Sequence, residues 1–179
     1  TIAESIRRAE QASGVKVESA YVGVTGRHIH STNTHGVVAI PRNDRLVRSD
    51  DLRRVLDSAQ HVNLPDDRKI LHAIPRHYNL DNQERIKNPV GMHGFRLDVE
   101  THFITAAIAS IQNLVKCIRS IGVEIADLIL EPLASGEAVL TAEEKELGVI
   151  LADIGGGTTD IAVFKDGSIY HTSIIPVAG

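Results

Sequence analysis

Apolar residues recur along this chain with two periods, and the switches between those periods mark its elements. In GFRLDVETHFI (Gly94–Ile104), Phe95, Leu97, Val99, Thr101 and Phe103 alternate with Arg96, Asp98, Glu100 and His102. A period of two predicts a strand with one buried and one solvated face. In RSDDLRRVLDSAQHV (Arg48–Val62), Leu52, Val55, Leu56 and Ala59 return at helical spacing instead. Ser49 stands where an N-cap belongs, and Asp50 and Asp51 suit the positive end of that helix dipole. A second helix is predicted over Thr105–Ile121, with Ile108, Ile111, Leu114, Val115 and Ile118 inward and Gly122 ending it. Ile2, Ile6 and Ala9 predict a third, closed by Gly14.

Strands are predicted at Val15–Val24, Gly36–Arg42, Lys69–Asp81 and Ile125–Pro132, with Pro41 closing the second. Thr25–Gly36 reads as polar and turn-rich, and Asp81–Gly94 as a long polar connection. Ser135–Leu140 makes a short helix, and Thr141–Gly148 another polar connection. The last unit is all β. Gly148–Asp153 and Asp160–Phe164 are apolar runs, and Asp166-Gly167 turns the chain into Ser168–Val177. Asp-Gly between alternating runs is a strong hairpin signal.

Within that unit lies DIGGGTTD, Asp153 to Asp160. Consecutive glycine N–H groups with no Cβ in the way can wrap an anion. No lysine follows Gly157, which excludes a Walker loop. Ile161–Phe164 continue as strand rather than helix, which excludes a dinucleotide-binding turn. Two readings stay open: a β-hairpin whose turn holds phosphates, and a plain glycine-rich turn with solvated aspartates. In the first, Gly155, Gly156 and Gly157 form the cradle and Thr158 and Thr159 add hydroxyls. Asp153 and Asp160 would then act through Mg²⁺ or its waters.

Composition narrows the class further. The 179 residues are 42% hydrophobic and 23% charged, ordinary for a globular chain. Net charge is −4 and the basic residues are scattered, so no nucleic-acid footprint is present. Cys117 is the single cysteine, which excludes an internal disulfide, and its apolar neighbours predict a buried structural thiol. No apolar run is long enough to span a bilayer. His28, His30 and His35 lack a neighbouring carboxylate or cysteine to complete a metal site and read as solvated histidines. Thr1 opens straight into a helix and the chain stops after a strand-like run, so the sequence reads as a piece of a longer protein.

ILADIGGGTTDIAVFKDGSIYHTSIIPVAG resembles the second phosphate-binding segment of the actin/Hsp70/sugar-kinase superfamily, and LEPLASGEAVL the segment before it. HAIPRHYNLDNQERIKNPVGMHGFRLDVETHFITA resembles the FtsA family of actin-like bacterial cell-division proteins, with IKNPVGMHG as its most specific stretch. YVGVTGRHI agrees with the same family. The resemblance implies an α/β actin-like ATPase fold with an α+β, SHS2-like inserted subdomain. Residues 1–24 would end subdomain 1A, 25–126 would be the inserted subdomain 1C, 127–147 would return to 1A, and 148–179 would begin 2A.

It also implies site roles. Asp153 lies near Mg²⁺, Gly155–Gly157 cradle phosphate with Thr158 and Thr159 beside them, and Asp160 closes the motif or holds its shape. Glu131 matches the glutamate that orients an attacking water in related ATPases. The plain alternative is a strand-end surface glutamate. ATP with Mg²⁺ is the implied cofactor of the full-length protein. The facing phosphate loop is not in these residues, so this chain alone is expected not to retain ATP. Implied partners are FtsZ and later division proteins, with self-association through 1C. Membrane contact is expected only through a C-terminal helix not present here, at the inner face of the cell membrane at the septum. ATPase activity is at most weak, and the implied work is assembly. A phosphotransferase of the superfamily and a PilM-like pilus-assembly actin homologue are the alternatives.

Overall fold

The computed structural model describes residues 1–60, 64–177 and 179. The elements run α1 (Ile2–Ser13), β1 (Ser19–Val24), β2 (Ile29–Ala39), α2 (Ser49–Ala59), β3 (Arg68–Leu80), β4 (Gln83–Ile86) and β5 (Arg96–Ala107). Then come α3 (Ile108–Arg119), β6 (Glu124–Leu130), α4 (Glu131–Val139), α5 (Ala142–Leu147), β7 (Val149–Ile154), β8 (Thr159–Lys165) and β9 (Ser168–Ile175). They form three sheets: a parallel pair β1–β6, a four-stranded antiparallel sheet β2–β5–β3–β4, and a meander β7–β8–β9. The α/β architecture with an antiparallel unit set into it agrees with the sequence.

The four-stranded sheet packs α2 on one face through Val55, Ala59, Leu80, Leu97, Val99 and Phe103. Contact is closest at Gly36, where a Cβ would stand 2.2 Å from the Val55 carbonyl oxygen and 2.7 Å from the Ser58 hydroxyl. Only a residue without a side chain lets the helix lie this near the strand. Asp51 anchors the start of α2. Its buried carboxylate accepts the Arg48 N–H at 2.9 Å and pairs with Arg42 at 2.6 Å and Arg54 at 3.1 Å. Ser49 is therefore not the cap. The cap position is Arg48, bonded back from Asp51. The predicted last residues of this helix, His61 and Val62, lie outside the described residues.

Four readings change. Thr25–Gly36 is not a turn-rich segment: from Ile29 it belongs to one eleven-residue strand, β2. Ser31, Asn33 and Thr34 spend their side chains on hydrogen bonds to neighbouring elements, while His30, Thr32 and His35 stay exposed. The helix predicted from Thr105 starts three residues later, because Thr105 is still in β5, accepting Arg68 at 3.1 Å and bonded to the His30 carbonyl at 3.2 Å. The even-numbered face of β5 is solvated only as far as Glu100. His102, Ile104 and Ala106 are buried where other elements close over it. Cys117 is exposed, on the outer side of α3.

The polar connections also hold structure. β4 lies inside Asp81–Gly94, and Thr141–Gly148 contains α5, capped reciprocally by Thr141 and Glu144. At the β8–β9 turn, Asp166 (φ 55°) and Gly167 (φ 74°) are both left-handed, as a type I′ hairpin needs. Their N–H groups donate to the Glu146 and Lys145 carbonyls of α5.

Candidate functional site

The C-terminal ends of the parallel strands β1 and β6 meet the β7–β8 hairpin, and the residues singled out in the sequence gather there. β6 runs directly into α4, so Glu131 stands in the first turn of a helix rather than at a free strand end. Its side chain lies over β1 at Gly23, where a Cβ would come within 3.0 Å of the Glu131 Cγ and Oε1. Helix α4 in turn lies against β8, with Gly136 opposite the Phe164 ring at a spacing that leaves no room for a Cβ (2.7 Å).

Asp153 and Asp160 are direct cross-strand partners on the hairpin, so their carboxylates share one face. Like charges placed so repel each other, and each is bonded from elsewhere. The Ser135 hydroxyl donates to Asp153 at 2.6 Å, and the Thr25 hydroxyl donates to Asp160 at 2.5 Å. Asp160 is buried, with a longer 3.4 Å bond from Thr158. Burial, then the charges of Asp160 and Asp153, push the Glu131 carboxyl above its ordinary range. Three acids thus crowd one corner, and one of them holds its proton more tightly for that reason.

The hairpin turn itself divides its groups. The Gly155 N–H closes the turn onto the Thr158 carbonyl at 2.9 Å, and the Thr159 hydroxyl donates to the Val177 carbonyl at 2.7 Å. The Gly156 and Gly157 N–H groups make no hydrogen bond among the described residues. None of the three glycines has a left-handed φ, and a Cβ on Gly156 or Gly157 would meet nothing within 4 Å. Neither backbone conformation nor packing within the chain asks for glycine at these two positions. The two positions leave room for the close approach of a ligand to bare N–H groups.

These residues fit a polyphosphate accompanied by a cation. Two free N–H groups face open space, and carboxylates that would repel a bare phosphate stand beside them. No group of three or more metal-ligating side chains is close enough among the described residues to hold an ion by itself. A cation here would keep several waters, as Mg²⁺ does. Thr25, Ser135, Gly23 and His72, whose Nε2 accepts the Leu130 N–H at 3.0 Å just before Glu131, went unseen in the sequence. Thr25 and Asp160 are 135 residues apart and no local pattern links them.

Comparison with known proteins identifies the family and the fold. Residues 26–105 match the family described as "SHS2 domain inserted in FTSA". The chain is 51% identical over 179 residues to the cell division protein FtsA of Pseudomonas aeruginosa, covering all of this chain and 42% of that protein. It is 40% identical to the FtsA proteins of Bacillus subtilis, over 179 residues, and Escherichia coli K12, over 178, covering 41% and 42% of them. The chain spans about two fifths of the length of these relatives. Among solved structures, a chain of a PilM–PilN type IV pilus biogenesis complex superposes with a TM-score of 0.67 at 12% identity, covering 99% of this chain and 48% of that one. That likeness establishes the actin-like fold alone. With identity of 40–51% sustained along its whole length and the inserted SHS2 domain in place, the chain belongs to the FtsA family of actin-like cell-division proteins.

Proposed function

We propose that this chain is the central part of an ATP-binding division scaffold, in which Asp153–Asp160 is one of the loops that hold the phosphates of Mg·ATP. The observation that carries the reading is the pair Gly156 and Gly157, open, bare and unbonded beside the carboxylates of Asp153 and Glu131. Their N–H groups would take phosphate oxygens, Thr158 would add a hydroxyl, and Asp153, steadied by Ser135, would hold a water of the cation. Asp160, buried and bonded by Thr25, keeps the shape of the hairpin. When bound, ATP would supply the terminal phosphoryl group, and its Mg²⁺ the positive charge between the phosphates and this acidic corner.

Glu131 would hold a water and accept its proton, and burial with the charges of Asp160 and Asp153 raises its pKa, which makes it a stronger base. Turnover would still be slow, with nucleotide serving to bias assembly. The wider role follows from family membership: anchoring an FtsZ ring at the membrane and gathering later division proteins on the inserted subdomain. The pilus-assembly alternative rests on a fold likeness at 12% identity and is the weaker reading.

The test is a calorimetric titration with Mg·ATP of a full-length family protein carrying this segment. Gly156→Val should weaken binding at least about tenfold without lowering the melting temperature, since a side chain there touches nothing in the chain. Glu131→Gln should bind Mg·ATP as before and lose hydrolysis. Unchanged affinity in Gly156→Val would overturn the loop assignment.

A further inference from the structure

The inserted sheet is tied to the candidate phosphate hairpin at three places. Thr25, immediately before the matched segment 26–105, bonds Asp160. His72 of β3 bonds the backbone just before Glu131. The third tie is β9. At one end its Ile174 and Ile175 pair with Asp160 and Thr159 beside the glycine turn. Farther along, the inserted sheet grips it.

That grip is a closed ring of hydrogen bonds. His102 of β5 is 1% exposed, and burial, with His171 and Arg76 nearby, keeps it neutral. Its Nδ1 meets the Asn33 Oδ1 at 2.6 Å, which can only accept, so Nδ1 carries the proton. Nε2 then accepts from the Thr172 hydroxyl at 3.3 Å. The Asn33 amide donates to the Tyr170 carbonyl at 3.3 Å. The ring leaves β9 at Thr172 and returns to it at Tyr170. Ser31 adds a bond to the Thr172 carbonyl at 2.9 Å, and the Arg76 guanidinium, paired with Glu100, lies 4.1 Å over the Tyr170 ring. A slip of β9 by one residue would turn Tyr170 and Thr172 to the other face and leave the buried His102 Nε2 without its partner. These contacts hold β9 to the inserted sheet.

We infer that phosphate binding at the glycine hairpin and the ordering of the inserted subdomain are energetically coupled through β9, with His102 and Asn33 as the positioning residues of the clamp. The inference rests on the nucleotide reading above. Because coupling between two sites is reciprocal, loosening the clamp must also weaken nucleotide binding.

The test is hydrogen–deuterium exchange of a full-length protein carrying this segment, with and without Mg·ATP, alongside its Mg·ATP affinity. In the wild type, nucleotide should slow exchange in residues 29–39 and 96–107 as well as in the hairpin. The double variant Ser31→Ala/Asn33→Ala, at half-buried and exposed positions, should confine the slowing to residues 149–165 and weaken Mg·ATP binding by about fivefold or more. His102→Gln, which keeps one donor and one acceptor, should retain the long-range effect. If the double variant does not fold, Ser31→Ala alone should still reduce the slowing in 29–39. A wild type that binds Mg·ATP with no change in 29–39 and 96–107, or a folded Ser31→Ala/Asn33→Ala variant that transmits the change in full, would overturn the coupling and leave the loop assignment standing. A wild type that binds no Mg·ATP would instead remove the nucleotide reading, and this inference with it.

Discussion

Lowering the pH should strain the folded chain at His102 and spare a variant in which that residue is glutamine. Burial, then His171 and Arg76, hold the His102 pKa down at about 4, against 6.5 for a free histidine. Between those values the unfolded chain binds a proton that the folded chain refuses. The stability due to this group is therefore complete above pH 6.5 and is lost as the pH falls toward 4. Linkage puts the loss at about 1 kcal/mol near pH 5.5 and about 3 kcal/mol by pH 4. Protonation would also give Nε2 a hydrogen where it now accepts one from Thr172. Glutamine can donate to Asn33 and accept from Thr172 but cannot titrate. His102→Gln should be less stable than wild type at pH 7 by about 1 kcal/mol, for imperfect geometry. The assay is urea unfolding of both proteins at several pH values, so that carboxylates and the other histidines, common to both, cancel in the difference. The gap should close on acidification and reverse below about pH 5.7. A gap constant from pH 7 to 4.5 would show that His102 is not held neutral by its surroundings, and the reasoning would fail.

Three further outcomes are expected. Asp51→Ala should cost about 3 kcal/mol or more, since it leaves Arg42 and Arg54 without their buried partner and uncaps α2; a denaturant midpoint within error of wild type would refute it. Gly36→Ala should cost about 3 kcal/mol by forcing α2 off β2, read as a lowered melting temperature with secondary structure retained. The 179-residue chain alone should show no micromolar affinity for Mg·ATP by calorimetry, because its hairpin offers two free N–H groups on one side of the phosphates only.

How much of this was legible beforehand depended on the range of the interactions. The helix stripe Leu52–Val55–Leu56–Ala59, the Asp166-Gly167 turn and the odd-numbered face of β5 from Leu97 on are local periodicities that one face of packing preserves, and they could be read directly; Phe95, read with that face, lies before β5 and is exposed, with Arg45 over its ring. The Asp153–Asp160 loop was legible because its neighbours ruled out the helix-linked alternatives. Segments went astray where polar residues are bonded to distant strands. Ser31 and Asn33 look like loop residues because their partners, on β9, are about 140 positions away. His102 reads as wet for the same reason. Cys117 failed in the opposite sense: apolar neighbours in sequence lie on the inner side of α3, and it does not. At the candidate site, the glycines and aspartates of the hairpin carried a signal, and Thr25 and Ser135, which hydrogen-bond those aspartates, did not. A threonine or serine that hydrogen-bonds a distant carboxylate looks like any other.

The parallel pairing of β1 with β6 has a kinetic side. The crossover between these neighbouring strands is about a hundred residues, an entire folded unit rather than a single helix. Closing so long an open loop costs about 2 kcal/mol more than closing one of ten residues. Yet Ile29 pairs with Ala106, so a folded insert delivers its two ends side by side. The inserted sheet should therefore form first and act as a template, leaving β1 and β6 to zip across a gap it has already closed. Mutations that slow folding of residues 29–107 should then delay assembly of the corner where β1 and β6 meet the β7–β8 hairpin, even where they lie far from it.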